Sequence, residues 1–339
     1  MSTPAPGMYS PAAAATAARL GLKLGRPNLE AFADALLALA RADRKVFAVT
    51  SDSRGSGKLG PFGQALPAQI VEVGIAEQNL VGIAAGLAAA GKTVFAVSPA
   101  CFLTARALEQ IKNDVAYSDQ PVVLVGISAG VSYGALGSTH HSLHDFAALR
   151  AIPNLAVLAP ADNWETAAAV RAAATARRPM YLRFGKAPVY DLPAAAPFAI
   201  GPARLVRPGT DLAFLATGET VIPALLAAAE LEARDGLQCR VLSFPTIKPL
   251  DTAAVTQAAQ DCRAVITVEE HLVNGGLGEA CAAVLAQAGL ARRFRIVGLP
   301  DEETVTGSQA DIFRHYGLTM EGLAQTARAL LDRPAAGPP

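Results

Sequence analysis

The stretch that decides the fold of this chain is Val71-Glu72-Val73-Gly74-Ile75-Ala76-Glu77-Gln78-Asn79-Leu80. Its first residues end a β-rich run, Gly74 breaks that run, and apolar residues at helical spacing follow from Leu80 to Leu87. Glu77 therefore falls in the first turn of a helix that follows a buried strand. An acidic side chain there complements the helix dipole, and because the rest of the helix is almost wholly apolar we expect Glu77 to face a crowded interface.

Strands and helices alternate along the rest of the chain. Continuous apolar runs such as Pro121 to Ile127 lie between helical stretches, which is typical of a mostly parallel sheet covered on both faces. The sequence predicts two such doubly wound α/β domains, at residues 26–187 and 209–333, joined by a proline-rich surface linker at residues 188–208. Residues 1–25, rich in alanine and proline, are predicted to form a flexible tail.

Composition excludes several classes of partner. The 339 residues are 52% hydrophobic and 17% charged, and 29 lysines and arginines balance 29 aspartates and glutamates, so we expect no nucleic acid and no membrane contact. Apolar stretches are broken well short of the roughly 20 residues that span a bilayer. The four cysteines form no paired motif, which indicates neither a zinc site nor a disulfide framework and favours a cytoplasmic location.

Three motifs in the first half of the chain resemble, in the same order, the pyrimidine-binding domain of transketolases. They are Gly74–Asn79, Ser98–Leu103 and Gly137–His140. The equivalent domains of 1-deoxyxylulose-5-phosphate synthases and, more distantly, of 2-oxoacid dehydrogenase β subunits are also similar. The resemblance runs from about residue 26 to residue 330. Because these are thiamine diphosphate enzymes, it implies that cofactor and a transketolase C-terminal domain in the second half.

One motif of such enzymes is missing from the sequence. The Gly-Asp-Gly segment that holds the diphosphate through Mg²⁺ does not occur, and Gly275-Gly276-Leu277-Gly278 matches neither a P-loop nor a dinucleotide fingerprint, so we expect it to form a tight start to a helix. The resemblance thus implies the C-terminal subunit of a split transketolase, with the metal and diphosphate held mainly by an N-terminal partner subunit. An α2β2 assembly with contacts between copies of this chain is expected, and the chain alone should be inactive.

The resemblance also implies roles for residues near the cofactor. Glu77 matches the catalytic glutamate that hydrogen-bonds the aminopyrimidine, and Phe102 matches the aromatic residue that stacks on it. Asp52 is a further predicted cofactor contact. A metal site at His140 and His144, which are four residues apart, is a weaker interpretation, because the family places the first histidine in a substrate loop.

Other residues are implied to bind the substrate. His140 matches the histidine that contacts the sugar donor near its reactive carbon, and Arg183 matches an arginine that binds the terminal phosphate. Ser56 corresponds to a phosphate-contacting serine, and Ser128 replaces a histidine of the same subsite. Leu136 stands where the family has an aspartate that reads a sugar hydroxyl. We therefore expect an unusual or branched donor, such as apulose 4-phosphate.

The predicted function is transfer of a two-carbon ketol unit between sugar phosphates. The β-type subunit of a 2-oxoacid dehydrogenase and a deoxyxylulose-phosphate-synthase-like subunit are the enzyme alternatives. The non-enzyme alternative is a degenerate paralogue that regulates another subunit. Retention of Glu77, Phe102, His140 and Arg183 favours an enzyme, whereas Leu136 departs from the family pattern.

Overall fold

Two β-sheets, one centred in each half of the chain, organise the fold. A computed structural model describes residues 7–193 and 197–332. The strands are, in chain order, β1 (Leu24–Pro27), β2 (Val46–Thr50), β3 (Ile70–Glu72), β4 (Thr93–Pro99), β5 (Val122–Ile127), β6 (Ala156–Leu158), β7 (Met180–Phe184), β8 (Pro188–Tyr190), β9 (Arg204–Arg207), β10 (Leu212–Ala216), β11 (Cys239–Ser243), β12 (Thr246–Lys248), β13 (Ala264–Leu272) and β14 (Arg293–Leu299).

Helices cover both faces of these sheets. They are α1 (Pro11–Arg19), α2 (Asn28–Ala42), α3 (Gly60–Ala65), α4 (Glu77–Ala89), α5 (Ala100–Arg106), α6 (Leu108–Gln110), α7 (Asp145–Arg150), α8 (Asn163–Thr175), α9 (Val221–Asp235), α10 (Thr252–Asp261), α11 (Leu277–Gln287), α12 (Gln309–His315) and α13 (Met320–Asp332). A π-helical turn over Ile111–Tyr117 continues from α6. Within the described residues, no helix is long and apolar enough to cross a membrane.

The order of the strands confirms the predicted fold class. The larger sheet runs β12-β6-β7-β5-β4-β2-β3, and its pairs from β2 to β7 are all parallel. The smaller sheet runs β14-β13-β10-β11-β9, with an antiparallel pair only where β9 meets β11. The strand β12 lies beyond the predicted domain boundary, yet it pairs antiparallel with β6 of the first sheet. Both halves of the chain therefore contribute to the larger sheet.

Burial on both faces explains why the central strands are apolar throughout. In β5, Val123 and Val125 pack against α2 and α8, whereas Val122 and Leu124 pack against α4 and the π-helical turn. All six residues of the strand are buried. A strand that is covered in this way has no polar face, so its sequence is a continuous apolar run instead of an alternating one.

The predicted flexible tail is wrong for residues 7–25, and its first six residues lie outside the described part of the chain. Ser10 caps α1 by accepting a hydrogen bond from the backbone of Ala13 at 3.0 Å, and Pro11 occupies the first helical turn. Ala13 and Ala17 are buried against α9. The alanine-rich composition that resembled low complexity instead supplies strong helix formers small enough for close packing.

The predicted surface linker is also wrong at both of its ends. β8 pairs with β1, and its residues Val189 and Tyr190 are buried. β9 pairs with β11 in the smaller sheet. The linker was predicted from its prolines, but proline is tolerated at the first residue of an edge strand, which is the position of Pro188. Residues 194–196 lie outside the described part of the chain.

Glutamates with buried carboxylate oxygens join the two halves. Glu219, in the turn after β10, accepts a hydrogen bond from the backbone of Gly185 at 3.0 Å. Glu270, in β13, accepts one from the backbone of Val131 at 2.8 Å. A Cβ atom on Gly185 would collide with the Glu219 carboxylate, and one on Gly130 would collide with that of Glu270. At both of these contacts, a glycine of the first half leaves room for a glutamate of the second half.

A third buried glutamate occupies the stretch that resembled a phosphate loop. Glu269 accepts hydrogen bonds from the backbones of Leu277 at 2.6 Å and Gly278 at 2.8 Å. The start of α11 is therefore tight, as predicted, and its free N–H groups are satisfied by a carboxylate of the chain itself.

Candidate active site

The carboxyl ends of the parallel strands gather the candidate residues at one edge of the larger sheet. Because β2, β3, β4, β5 and β7 run in the same direction, the residues that follow them lie side by side. These residues are Asp52 and Ser56 after β2, Glu77 after β3, Phe102 after β4, Ser128 after β5 and Lys186 after β7. We call this the carboxyl edge.

Glu77 lies at the start of α4 and is only 4% exposed. At the crowded interface that we expected for this residue, its carboxylate meets a cation. Both of its oxygens accept hydrogen bonds from Nη1 of Arg106, each at 3.1 Å. The Arg106 side chain is 49% exposed, so it covers Glu77 on the solvent side of a groove that Ile75 and Asn79 also line.

Phe102 begins a row of aromatic contacts. The Arg106 guanidinium lies 4.2 Å from the centre of the Phe102 ring. His140 packs edge-on against Phe102 at 5.3 Å between ring centres and against Tyr133 at 5.4 Å. The structure thus brings three of the sequence-predicted residues, Glu77, Phe102 and His140, into one continuous row that Arg106 and Tyr133 complete.

Lysines end this row. Nζ of Lys186 lies 4.5 Å from the centre of the Tyr133 ring, and the side chain is exposed. Partial burial lowers the pKa of Lys186, and the positive charge of nearby Lys58 lowers it further. Lys58 also pairs with Glu30 at 3.4 Å. This end of the row therefore carries the positive charge of Lys186 together with that of Lys58, which is paired with Glu30.

Arg183 lies apart from this row, contrary to its predicted role as a phosphate ligand. Its guanidinium donates to Asp145 at 2.8 Å and to the backbone carbonyl of Glu270 at 2.8 Å, and it lies over the ring of Phe146. Burial opposes the charged form, but the Asp145 and Glu270 carboxylates outweigh it and raise the pKa of Arg183. The physical reason is position: Arg183 lies within β7, not after it, so its side chain stays between the packed layers.

Asp52 and Ser56 are exposed in the turn after β2. Asp52 has a φ of 52° and donates its backbone N–H to the Glu72 carboxylate at 2.6 Å. The same carboxylate accepts from the Thr50 hydroxyl at 2.6 Å and from the backbone of Gly74 at 3.1 Å. Glu72 therefore fixes the ends of β2 and β3 relative to each other, a role that the sequence did not reveal.

The loop after β5 carries the remaining candidates. Ser128 is buried with a φ of 55°, and its hydroxyl has no hydrogen-bond partner among the described residues. Burial raises the pKa of the Tyr133 phenol, and the nearby Ser128 hydroxyl opposes that shift without meeting hydrogen-bond geometry. Leu136 is 56% exposed on a short helical turn. His140 and His144 do not converge: the first contacts Thr139 and the second Thr104.

The flat guanidinium of Arg106 fills the space between Glu77 and Phe102: it lies over the Phe102 ring and donates to the Glu77 carboxylate. An aminopyrimidine is also flat and can stack on a phenylalanine ring, and its ring nitrogen can share a proton with a carboxyl group. Arg106 was missed from the sequence, although it follows Phe102 by four residues and so lies on the same helical face.

Comparisons with known proteins agree over nearly the whole described chain. The family "Transketolase, pyrimidine binding domain" matches residues 27–190, and the family "Transketolase, C-terminal domain" matches residues 201–323. An apulose-4-phosphate transketolase subunit of Phocaeicola vulgatus is 47% identical over 300 residues, which is 88% of this chain and 95% of that protein. The "Putative transketolase C-terminal section" of Methanocaldococcus jannaschii is 35% identical over 87% of this chain and 93% of that protein.

Solved structures give the same result. A "Split gene transketolase, inactive beta4 tetramer" superimposes with a TM-score of 0.81 at 33% identity, covering 91% of this chain and 99% of that one. The transketolase of Leishmania mexicana, at 23% identity and a TM-score of 0.78, shows the shared fold and is covered over 47% of its length. The chain therefore belongs to the transketolase family. Within that family it is a transferase subunit of a two-chain transketolase, and relatives of this kind imply dependence on thiamine diphosphate.

Proposed function

We propose that this chain supplies the aminopyrimidine half of the thiamine diphosphate site in a two-chain transketolase. The observation that carries the proposal is the nearly buried Glu77 carboxylate at the carboxyl edge, which a single planar group, the Arg106 guanidinium, contacts together with the Phe102 ring. Bound thiamine diphosphate would supply the carbanion that takes up and releases a two-carbon ketol unit. Glu77 would hydrogen-bond the pyrimidine nitrogen and act in proton transfer there, Phe102 would stack on the ring, and Asp52 would be a further contact.

In this proposal the diphosphate and Mg²⁺ are held mainly by an N-terminal partner subunit. Two facts support it: a relative is named as one subunit of a transketolase, and a similar solved chain is described as a "Split gene transketolase, inactive beta4 tetramer". We propose an α2β2 assembly in the cytoplasm, with residues 26–187 as the pyrimidine-binding domain and 209–333 as the C-terminal domain. The four cysteines are buried and free, which suits a reducing compartment.

The substrate would bind along the row from His140 to Lys186. His140 would contact the sugar near its reactive carbon, and Lys186 with Lys58 would bind the phosphate, because Arg183 is already paired with Asp145. Ser56 and Ser128 would complete this subsite, and within residues 7–193 and 197–332 the buried Ser128 hydroxyl has no hydrogen-bond partner.

The proposed donor is a branched ketose phosphate. Leu136 presents an exposed apolar side chain, which gives no hydrogen bond to a sugar hydroxyl. A relative is named for apulose 4-phosphate, and we propose the same or a similar donor here. The deoxyxylulose-phosphate-synthase alternative has weaker support, because the chain spans only 48% of a relative with that name.

Calorimetric titration of thiamine diphosphate with Mg²⁺ tests this proposal. The titration is made on the chain alone, on the candidate partner alone and on their mixture. We expect binding by the mixture, and loss of transfer activity by roughly 10²-fold or more in the Glu77→Ala mixture. The exposed Glu109→Ala variant is the control and should keep its activity. No binding by the wild-type mixture, or full activity of Glu77→Ala, would contradict the proposal.

A further inference from the structure

Arg106 lies where a flat ligand would contact Glu77 and Phe102 together. Its Nη1 atom is 3.1 Å from each Glu77 oxygen, and its guanidinium carbon is 4.2 Å from the centre of the Phe102 ring. Within the described chain its side chain makes no hydrogen bond to any other residue. The guanidinium is held only by the two groups that the proposed function assigns to the aminopyrimidine.

The two planar groups compete for the same partners. A guanidinium and a 4-aminopyrimidine are both flat groups that stack on an aromatic face, and each can hydrogen-bond Glu77. The guanidinium donates to the carboxylate, whereas the pyrimidine ring nitrogen accepts from the protonated carboxyl group or shares its proton. Only one flat group can lie directly over one face of Phe102 while it bonds the same carboxylate. Glu77 is 4% exposed, so another ligand has little access to it while Arg106 covers it.

We propose that the Arg106 side chain occupies the position between Glu77 and Phe102 where the aminopyrimidine binds, and that the cofactor displaces it. This inference rests on the proposed function, because it takes the aminopyrimidine to bind between Glu77 and Phe102. The Arg106 side chain is 49% exposed, so it can rotate into solvent without opening the core. The aminopyrimidine ring of the cofactor therefore takes the place of the planar Arg106 guanidinium.

Displacement has a measurable effect on affinity. The cofactor must first replace a half-exposed ion pair and a cation–π contact. Its apparent affinity is therefore the intrinsic affinity multiplied by the fraction of chains in which Arg106 has moved away from Glu77 and Phe102. Simple electrostatics predicts the opposite sign, since removal of a nearby cation weakens the binding of an anion. The direction of the change in the Arg106→Ala variant therefore separates displacement from charge attraction.

The test measures thiamine diphosphate binding to the reconstituted two-chain complex by calorimetry, with inorganic pyrophosphate and Mg²⁺ as a second ligand. We expect Arg106→Ala to bind thiamine diphosphate about three- to tenfold more tightly than wild type. Pyrophosphate lacks the pyrimidine, so its affinity should stay unchanged. Arg106→Lys keeps the charge without the planar group and should lie between alanine and wild type.

The outcomes distinguish this inference from the proposed function. If the wild-type complex does not bind thiamine diphosphate, the proposed function fails. If it binds and Arg106→Ala binds equally or more weakly, only the displacement inference is overturned, and an equal gain for pyrophosphate overturns it as well. Arg106→Gln is the second variant should the alanine variant unfold, and thermal unfolding of each complex establishes that the fold is intact.

Discussion

Cationic residues near the carboxyl edge differ in how far they are buried, and burial separates their roles. Arg183 is buried and paired with Asp145. Arg106 is half exposed and covers Glu77, whereas Lys186 is exposed at the end of the aromatic row. A buried ion pair that loses one partner leaves an uncompensated charge, so Arg183 is a structural residue. We therefore propose the half-exposed Arg106 and the exposed Lys186, and not Arg183, as the cations that meet a ligand.

Lys186→Ala is expected to weaken binding of a phosphorylated donor. Loss of one charge-assisted hydrogen bond to the phosphate should raise KM about tenfold, while kcat changes by less than about twofold. Steady-state kinetics of the reconstituted complex measure both values. Lys45→Ala is the control, because Lys45 is exposed immediately before β2, at the opposite edge of the sheet. Equal effects of the two substitutions, or an unchanged KM in Lys186→Ala, would contradict the role given to Lys186.

The sequence predicted the residues of the site more readily than their contacts. Motif order placed Glu77, Phe102 and His140 on a common edge, and the structure brings them into one row. Arg183 was assigned to the phosphate because it matches an arginine of the family, and that resemblance does not reveal the Asp145 carboxylate and the Glu270 carbonyl that accept from its guanidinium. Arg106 was missed because its importance depends on a contact across two helices.

At the level of elements, the central strands were predictable and the edges were not. Continuous apolar runs such as β5 and β10 are explained by burial on both faces alone. The strands β1, β8, β9 and β12 have three or four residues each, and they become strands only by pairing with distant segments. No local pattern of that length distinguishes them from loops.

The helix α1 provides a test at this level. Ala17 is fully buried against α9, whereas Ala14 is exposed on the same helix. Ala17→Arg should lower the free energy of unfolding by about 2–4 kcal/mol, because the fully buried Ala17 site has no room for the longer side chain. Ala14→Arg is the matched control and should change it by less than about 0.5 kcal/mol. Urea denaturation measures both, and identical midpoints would mean that this segment does not pack as described.

For the whole molecule, stability depends on acids buried where the two halves meet. Burial, and then the charge of Glu270, raise the pKa of Glu219 to about 8. Burial likewise raises the pKa of Glu270 to about 7, against the lowering effect of Arg183. Both groups therefore keep protons in the folded state at pH values where the unfolded chain, with an ordinary value near 4.5, has released them. Stability should fall as pH rises toward 8.

Glu219→Gln should remove part of this pH dependence. The folded wild type binds more protons than the unfolded chain between pH 6.5 and 8, so its thermal midpoint should decrease over that interval. Glutamine keeps an acceptor for the Gly185 backbone but carries no charge, so the variant should lose less stability and exceed wild type at pH 8. Thermal unfolding at pH 6.5 and pH 8 measures this, with exposed Glu109→Gln as the control. A variant with the wild-type pH profile would contradict the role of Glu219.

The glycine–glutamate contacts between the halves also limit how such a protein can recombine. Gly130 leaves room for Glu270 and Gly185 leaves room for Glu219, so each pair spans the two halves of the chain. A chimera that joins the first half to a second half from another family member inherits one member of each pair from each parent. A first half that carries a larger residue at either glycine position would clash with a second half that keeps the glutamate, since a Cβ atom there meets the carboxylate. These two glycine–glutamate pairs therefore limit which halves can be exchanged between family members.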